Sequence, residues 1–196
     1  MTSPRRAFAS ESELRTEAVR IAHEACNGSM GRVLGDPVFE RVTEGRAKWR
    51  KYSACGDLAH YVLKELGVTD ERLVNRNDDG GGVPWVMGKN LSRIVYCAVP
   101  AFVWARGGLR PQPGDVLYVA SPEHVCILER IDEAKGKIFT FDYGLWDHRQ
   151  AKPAGRRVER VFGKVDKHTV RVGSRILRGW LDLTKIPGLL QPEPQA

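Results

Sequence analysis

Apolar residues recur at helical spacing in two places. Leu14, Ala18, Ile21, Ala22 and Ala25 mark one face of a run that Ser10 opens and Gly28 stops. Ser10 followed by Glu13 has the form of a capping box, so a helix is expected over 11–26. Leu58, Ala59, Val62, Leu63 and Leu66 mark a second helix, starting near Cys55 and ending before Gly67. Between them, 28–50 is rich in glycine and charge and has no clear period. The stretch 75–82 (NRNDDGGG) reads as a flexible loop, either a linker or a lid over a cleft. A shorter helix is expected over 90–98, ended by Pro100.

The period changes after Arg110. Pro113, Gly114 and Asp115 form a turn, and 116–120 has strand character. His124 to Ile131 is a second apolar run, 132–137 a polar hairpin turn, and 138–143 (IFTFDY) a third strand. Further strands are expected over 157–162, 169–172 and 176–183. Helices followed by consecutive antiparallel strands predict an α+β fold, with the N-terminal helices packed on one side of the sheet. The expected organisation is a flexible N-terminus (1–10), one domain over 11–186 (helical 11–100, strand-rich 111–186) and a disordered tail (187–196). No repeat at a solenoid period appears.

Composition bounds the rest. The 196 residues, 42% hydrophobic and 28% charged, suit one globular domain able to fold without metal or disulfide. The net charge of +7 favours a polyanionic partner, whether nucleic acid, anionic lipid or an acidic wall polymer, and equally serves solubility alone. No apolar run is long enough to span a membrane. Arg5 and Arg6 lack the apolar stretch of a Sec signal behind them. The expectation is synthesis in the cytoplasm, with any work in the periplasm or cell wall needing another delivery route.

Four cysteines remain to be placed. Cys26, Cys97 and Cys126 show neither CxxC nor Cys/His ligand spacing, so they read as packing thiols, with disulfide pairing left open and no metal or cofactor expected. Cys55 differs because it opens a helix. Free N–H groups and the positive end of the helix dipole favour thiolate, the nucleophilic form. Its phase on the apolar face aims it at whatever the helix packs against. His124 opens a strand and can serve as the base. In a hairpin centred between Ala134 and Lys135, Asp142 is read as its near-diagonal neighbour on the same face, able to orient the imidazole. The oxyanion donors would be the Cys55 N–H and one group from Tyr52 or Ser53. Trp85, Trp104 and Trp146 are packing residues or the aromatic wall of a substrate groove, Trp146 the best placed of them. The basic residues of the C-terminal segment, Arg156, Arg157 and Arg160 among them, read as the solvated face of strands or as a surface that holds the protein against anionic wall polymer or nucleic acid.

The segments YSACGDLAHYVL, PGDVLYVASPEHVCIL and KIFTFDYG resemble the NlpC and CHAP branch of the papain-fold cysteine hydrolases. The resemblance covers roughly 45–145. The cysteine motif departs from the commonest form, since Gly56 and Asp57 follow where many members carry Ser-Gly or Thr. It implies a papain-like fold and a cysteine amidohydrolase or peptidase with Cys55 as nucleophile, His124 as base and Asp142 as orienting group. It implies a peptidoglycan stem peptide or cross-bridge as substrate, as in a phage lysin or a secreted interbacterial effector. An immunity or inhibitor protein would be the partner of an effector, and the enzyme is expected to be a monomer. Two rivals stand beside this reading: a hydrolase or acyltransferase acting on protein, and a non-catalytic basic nucleic-acid-binding module, the less favoured of the two.

Overall fold

The computed structural model describes residues 7–26, 55–70, 73, 100–106, 108–120, 124–147, 152–164 and 169–192. The expected helix 90–98, the loop 75–82, Tyr52, Ser53, Trp85 and Cys97 lie outside the described residues.

Helix α1 spans Glu11–Cys26 and helix α2 spans Cys55–Glu65. The Ser10 Oγ accepts from the Glu13 N–H at 3.2 Å, and Glu13 Oε2 accepts in turn from the Ala9 N–H at 2.9 Å. The capping box therefore closes one residue further upstream than the standard form. Leu14, Ala18, Ile21, Ala22, Ala25 and Cys26 are buried, which is the face the apolar spacing predicts. Helix α2 is buried nearly all round, from Cys55 through Leu66 apart from Lys64 and Glu65 among the residues whose burial is described.

Seven strands follow among the described residues: β1 (Phe102–Trp104), β2 (Val116–Ala120), β3 (His124–Asp132), β4 (Lys137–Asp147), β5 (Lys152–Lys164), β6 (Val170–Val172) and β7 (Arg175–Leu181). They are hydrogen-bonded in the order β1-β7-β2-β3-β4-β5-β6, every pair antiparallel. Strand β7 also pairs with β6, through Arg171 with Ile176 and Val172 with Arg175. That last pairing closes β2 to β7 into a six-stranded barrel, with β1 added outside the ring on β7. The expected papain-like α+β fold, helices laid on an open sheet, is thus corrected. The described residues form a mostly-β closed barrel carrying two α-helices. Local period reveals strands, but closure is set by β7 having partners on both edges, and no local pattern encodes that.

Two apolar cores follow from the alternation of strand side chains. Leu117, Val119, Cys126, Leu128, Ile138, Phe162, Val172, Leu177 and Trp180 come from all six strands of the ring and fill its interior. Val116, Tyr118, Val125, Ile127, Phe141, Tyr143 and Leu181 point the other way and bury the two helices. The chain ends, read above as a flexible N-terminus and a disordered tail, partly meet. Phe8 and Leu190 form a parallel bridge, the Phe8 N–H donating to the Leu189 carbonyl at 2.8 Å.

Candidate active site

His124 is the first residue of β3 and sits opposite Val119 on the inward face of the barrel. Its side chain is therefore at the rim, where an inward-pointing group can meet the start of α2. The ring hydrogen-bonds the Cys55 thiol there. Both residues are nearly inaccessible, Cys55 at 5% and His124 at 6% exposure.

On its other side, His124 Nε2 lies 2.5 Å from Asp142 Oδ2. Asp142 is fully buried on β4, opposite Cys126, and so stands diagonal to His124. An ionised carboxylate only accepts, so Nε2 carries the proton and Nδ1 is left to face the sulfur.

The register that makes this possible is not that of a regular hairpin. Asp132 pairs with Lys137 and Arg130 with Phe139. Continued without interruption, that register would set Asp142 opposite Ile127 and turn it away from His124. The register shifts between Leu128 and Arg130, where Glu129 is the extra residue, and beyond it Cys126 faces Asp142. One inserted residue moves every later side chain to the other face. The same-face relationship read from the sequence therefore holds only because of this bulge; a regular hairpin centred between Ala134 and Lys135 gives the opposite facing.

Asp142 has two further partners. Thr140 Oγ1 donates to Asp142 Oδ1 at 2.5 Å. Arg160 on β5 donates from Nη2 to Oδ2 at 2.6 Å and from Nη1 to Oδ1 at 3.0 Å, a two-pronged grip on the carboxylate. The sequence groups Arg160 with the solvated basic face of the C-terminal strands, and the structure corrects this. The contrary signal lay in the alternation, since Val158, Arg160 and Phe162 share one face of β5, and Phe162 is in the barrel core.

Electrostatics follow from these contacts. Burial of His124 favours the neutral ring, but its hydrogen bonds to Asp142 and Cys55 and the negative charge of both outweigh it and raise the imidazole to about 9. Burial of Asp142 favours the protonated acid, but hydrogen bonds and charge from His124 and Arg160 prevail and lower it to about 2. Burial, with the Asp142 charge beside it, pushes the Cys126 thiol far up. It is a neutral packing residue on the barrel interior. Cys26 is also buried, its Sγ 3.9 Å from the Asp142 carbonyl oxygen.

Of the aromatic candidates, Trp104 is on β1 in edge contact with Phe102, ring centroids 5.1 Å apart, and packs against the helix-side core. The backbone of Trp146 pairs with Pro153 on β4 and β5. No described helix is long and apolar enough to cross a membrane. No family model matches the chain, and neither a curated protein nor a solved structure matches it.

Proposed function

We propose that the chain is a cysteine-dependent amide hydrolase. The observation that carries this reading is the position of His124, hydrogen-bonded to the thiol at the start of α2 on one side and held 2.5 Å from a buried carboxylate on the other. That is the nucleophile, base and orienting group of acyl transfer, recognised by geometry and role rather than by fold.

With the His124 ring raised to about 9, the proton already rests on the imidazole at neutral pH, and the Cys55 thiolate paired with it attacks the amide carbonyl. The first N–H groups of an α-helix have no intrahelical acceptor, so those at the start of α2 are the donors we assign to the developing oxyanion. Collapse breaks the C–N bond as His124 protonates the departing amine, leaving a thioester on Cys55. His124 then takes a proton from water, whose oxygen displaces the thiol and releases the acid. Asp142 holds the proton on Nε2 and stabilises the imidazolium without itself becoming protonated.

The substrate class we favour is the peptide portion of peptidoglycan. Motif resemblance around Cys55, His124 and Asp142 supports it, and the +7 charge suits an anionic wall. The test is release of new amino groups from purified peptidoglycan by the wild type and by Cys55→Ala. Loss of at least ~10³-fold is expected for removal of a nucleophile. Full activity of the variant would reject the assignment. Alkylation by iodoacetamide near pH 6 supplies a substrate-free check, in which Cys55 should react faster than Cys26 and Cys126.

A further inference from the structure

The site holds one more charge than a cysteine, histidine and aspartate account for. Arg160 is 13% exposed and its guanidinium reaches along the inward face of β5 to Asp142, which has no exposure at all. A permanent cation in such a place needs a partner, and Asp142 is that partner. Yet Oδ2 of the same carboxylate also accepts from His124. One carboxylate thus sits between two cations whenever the ring is protonated.

We propose that Arg160 is a positioning residue for this site: it fixes the Asp142 carboxylate toward His124 and balances the charge of the thiolate–imidazolium state. The claim rests on the reading of Cys55 as nucleophile. With Arg160 present, thiolate, imidazolium, carboxylate and guanidinium sum to zero in a setting that water hardly enters. Without it, forming the thiolate leaves a net negative charge in the same setting, and burial opposes that. Thr140 completes the arrangement, accepting from Arg160 Nη1 at 2.5 Å while donating to Asp142 Oδ1. Carboxylate orientation and guanidinium orientation are thereby locked together.

The other groups near the cluster do not supply the missing charge. Cys126, on β3 opposite Asp142, is held neutral by burial and by the carboxylate. Cys26, from α1, approaches only the Asp142 main-chain carbonyl. From β3, β4, β5 and α2 the described charged or titratable groups that interact with one another here are His124, Cys126, Asp142, Arg160 and Cys55.

The pH profile of Cys55 alkylation by iodoacetamide tests this, because a merely structural residue would not move it. Arg160→Gln keeps a donor to Asp142 without the charge, and Arg160→Lys keeps the charge without the fork. Both are first checked for fold by thermal melting. The acid limb should move up by roughly one pH unit in Arg160→Gln, which reads as about tenfold slower labelling below the limb. In Arg160→Lys it should stay near the wild type. A folded Arg160→Gln with an unmoved limb overturns the proposal. If Arg160→Gln does not fold, Arg160→Met, which removes the charge but keeps an unbranched stem, is read in its place: a limb raised by about one unit supports the proposal and an unmoved limb overturns it. Wild-type Cys55 labelling like an ordinary thiol would instead overturn the nucleophile reading and this proposal with it.

Discussion

The imidazole of His124 and the carboxylate of Asp142 meet at 2.5 Å across adjacent antiparallel strands, with Asp142 fully buried. The contact sets the proton on Nε2 and leaves the other ring nitrogen for Cys55. Asp142→Asn would place an amide where His124 and Arg160 both donate. At least one donor then loses its acceptor, and the Arg160 charge loses its partner. On the proposed function, hydrolysis of peptidoglycan peptide is expected to fall at least ~100-fold through loss of tautomer control and of imidazolium stabilisation. Unfolding in urea should report a stability loss of about 3 kcal/mol, the usual result of breaking a buried ion pair from one side.

The same pair sets a pH window for stability. The His124 ring is raised in the folded state, so its contribution is fully present below the unfolded value near ~6.5 and is lost as pH rises through about 9. Asp142 is depressed, so its contribution is present above ~3.9 and is lost as pH falls toward about 2. The urea midpoint should therefore be highest, as far as this pair governs it, between about pH 4 and 6.5. In His124→Gln the alkaline decline should flatten while the acid limb persists, because Arg160 still holds Asp142. An alkaline decline of unchanged size in that variant would show that another group causes it.

Both described helices were legible because their faces are simple. Ser10 and Glu13 cap α1, and Leu58, Val62 and Leu66 repeat at the helical period in α2. The strand at 116–120 was equally plain. Strand β1, Phe102–Trp104, is too short to show a period and was not anticipated. Cys55 and His124 stood out as a helix start and a strand start, which are positions rather than contacts. The partnership of His124 with Asp142 could not be derived from a regular hairpin, because Glu129 is inserted and reverses the facing of everything beyond it. Arg160 was hidden by its company: among so many exposed basic residues, only its shared phase with Val158 and Phe162 marked it as inward.

Arg15 ties α1 to the barrel, and its removal should be costly in a pH-dependent way. Its Nη1 donates to Asp115 Oδ1 at 2.7 Å, and its Nη2 reaches Asp182 Oδ1 at 3.3 Å. Asp115 is 1% exposed and also accepts from the N–H groups of Gln112 and Leu183. Burial drives its carboxyl up to about 6, with Arg15 and the Gln112 N–H opposing that rise. Arg15→Met leaves the carboxylate buried without its counter-charge. A loss of about 3 kcal/mol is expected at pH 8. The loss should shrink near pH 4.5, since protonation of Asp115 then removes the stranded charge. Urea titrations of both proteins at the two pH values measure the difference directly.

Gly155 offers a probe of the packing behind the site. A Cβ at this position on β5 would lie 2.7 and 2.9 Å from Cδ2 and Cε2 of Tyr143 and 3.1 Å from the Cys26 sulfur. The Tyr143 ring has no exposure, and Cys26 is held at 1% in the same core, so neither can swing into solvent to make room. Gly155→Ala therefore overpacks the seam between α1, β4 and β5, at a cost of roughly 1–3 kcal/mol. Tyr143 follows Asp142 directly on β4, so movement of its ring is transmitted to the strand that carries the carboxylate. The proposed hydrolysis of peptidoglycan peptide should fall with stability in Gly155→Ala. In the double variant Gly155→Ala, Tyr143→Leu, the space left by the ring should accommodate the added methyl, and the two substitutions should cost less together than the sum of their separate costs. Strict additivity in the urea measurement would contradict the contact.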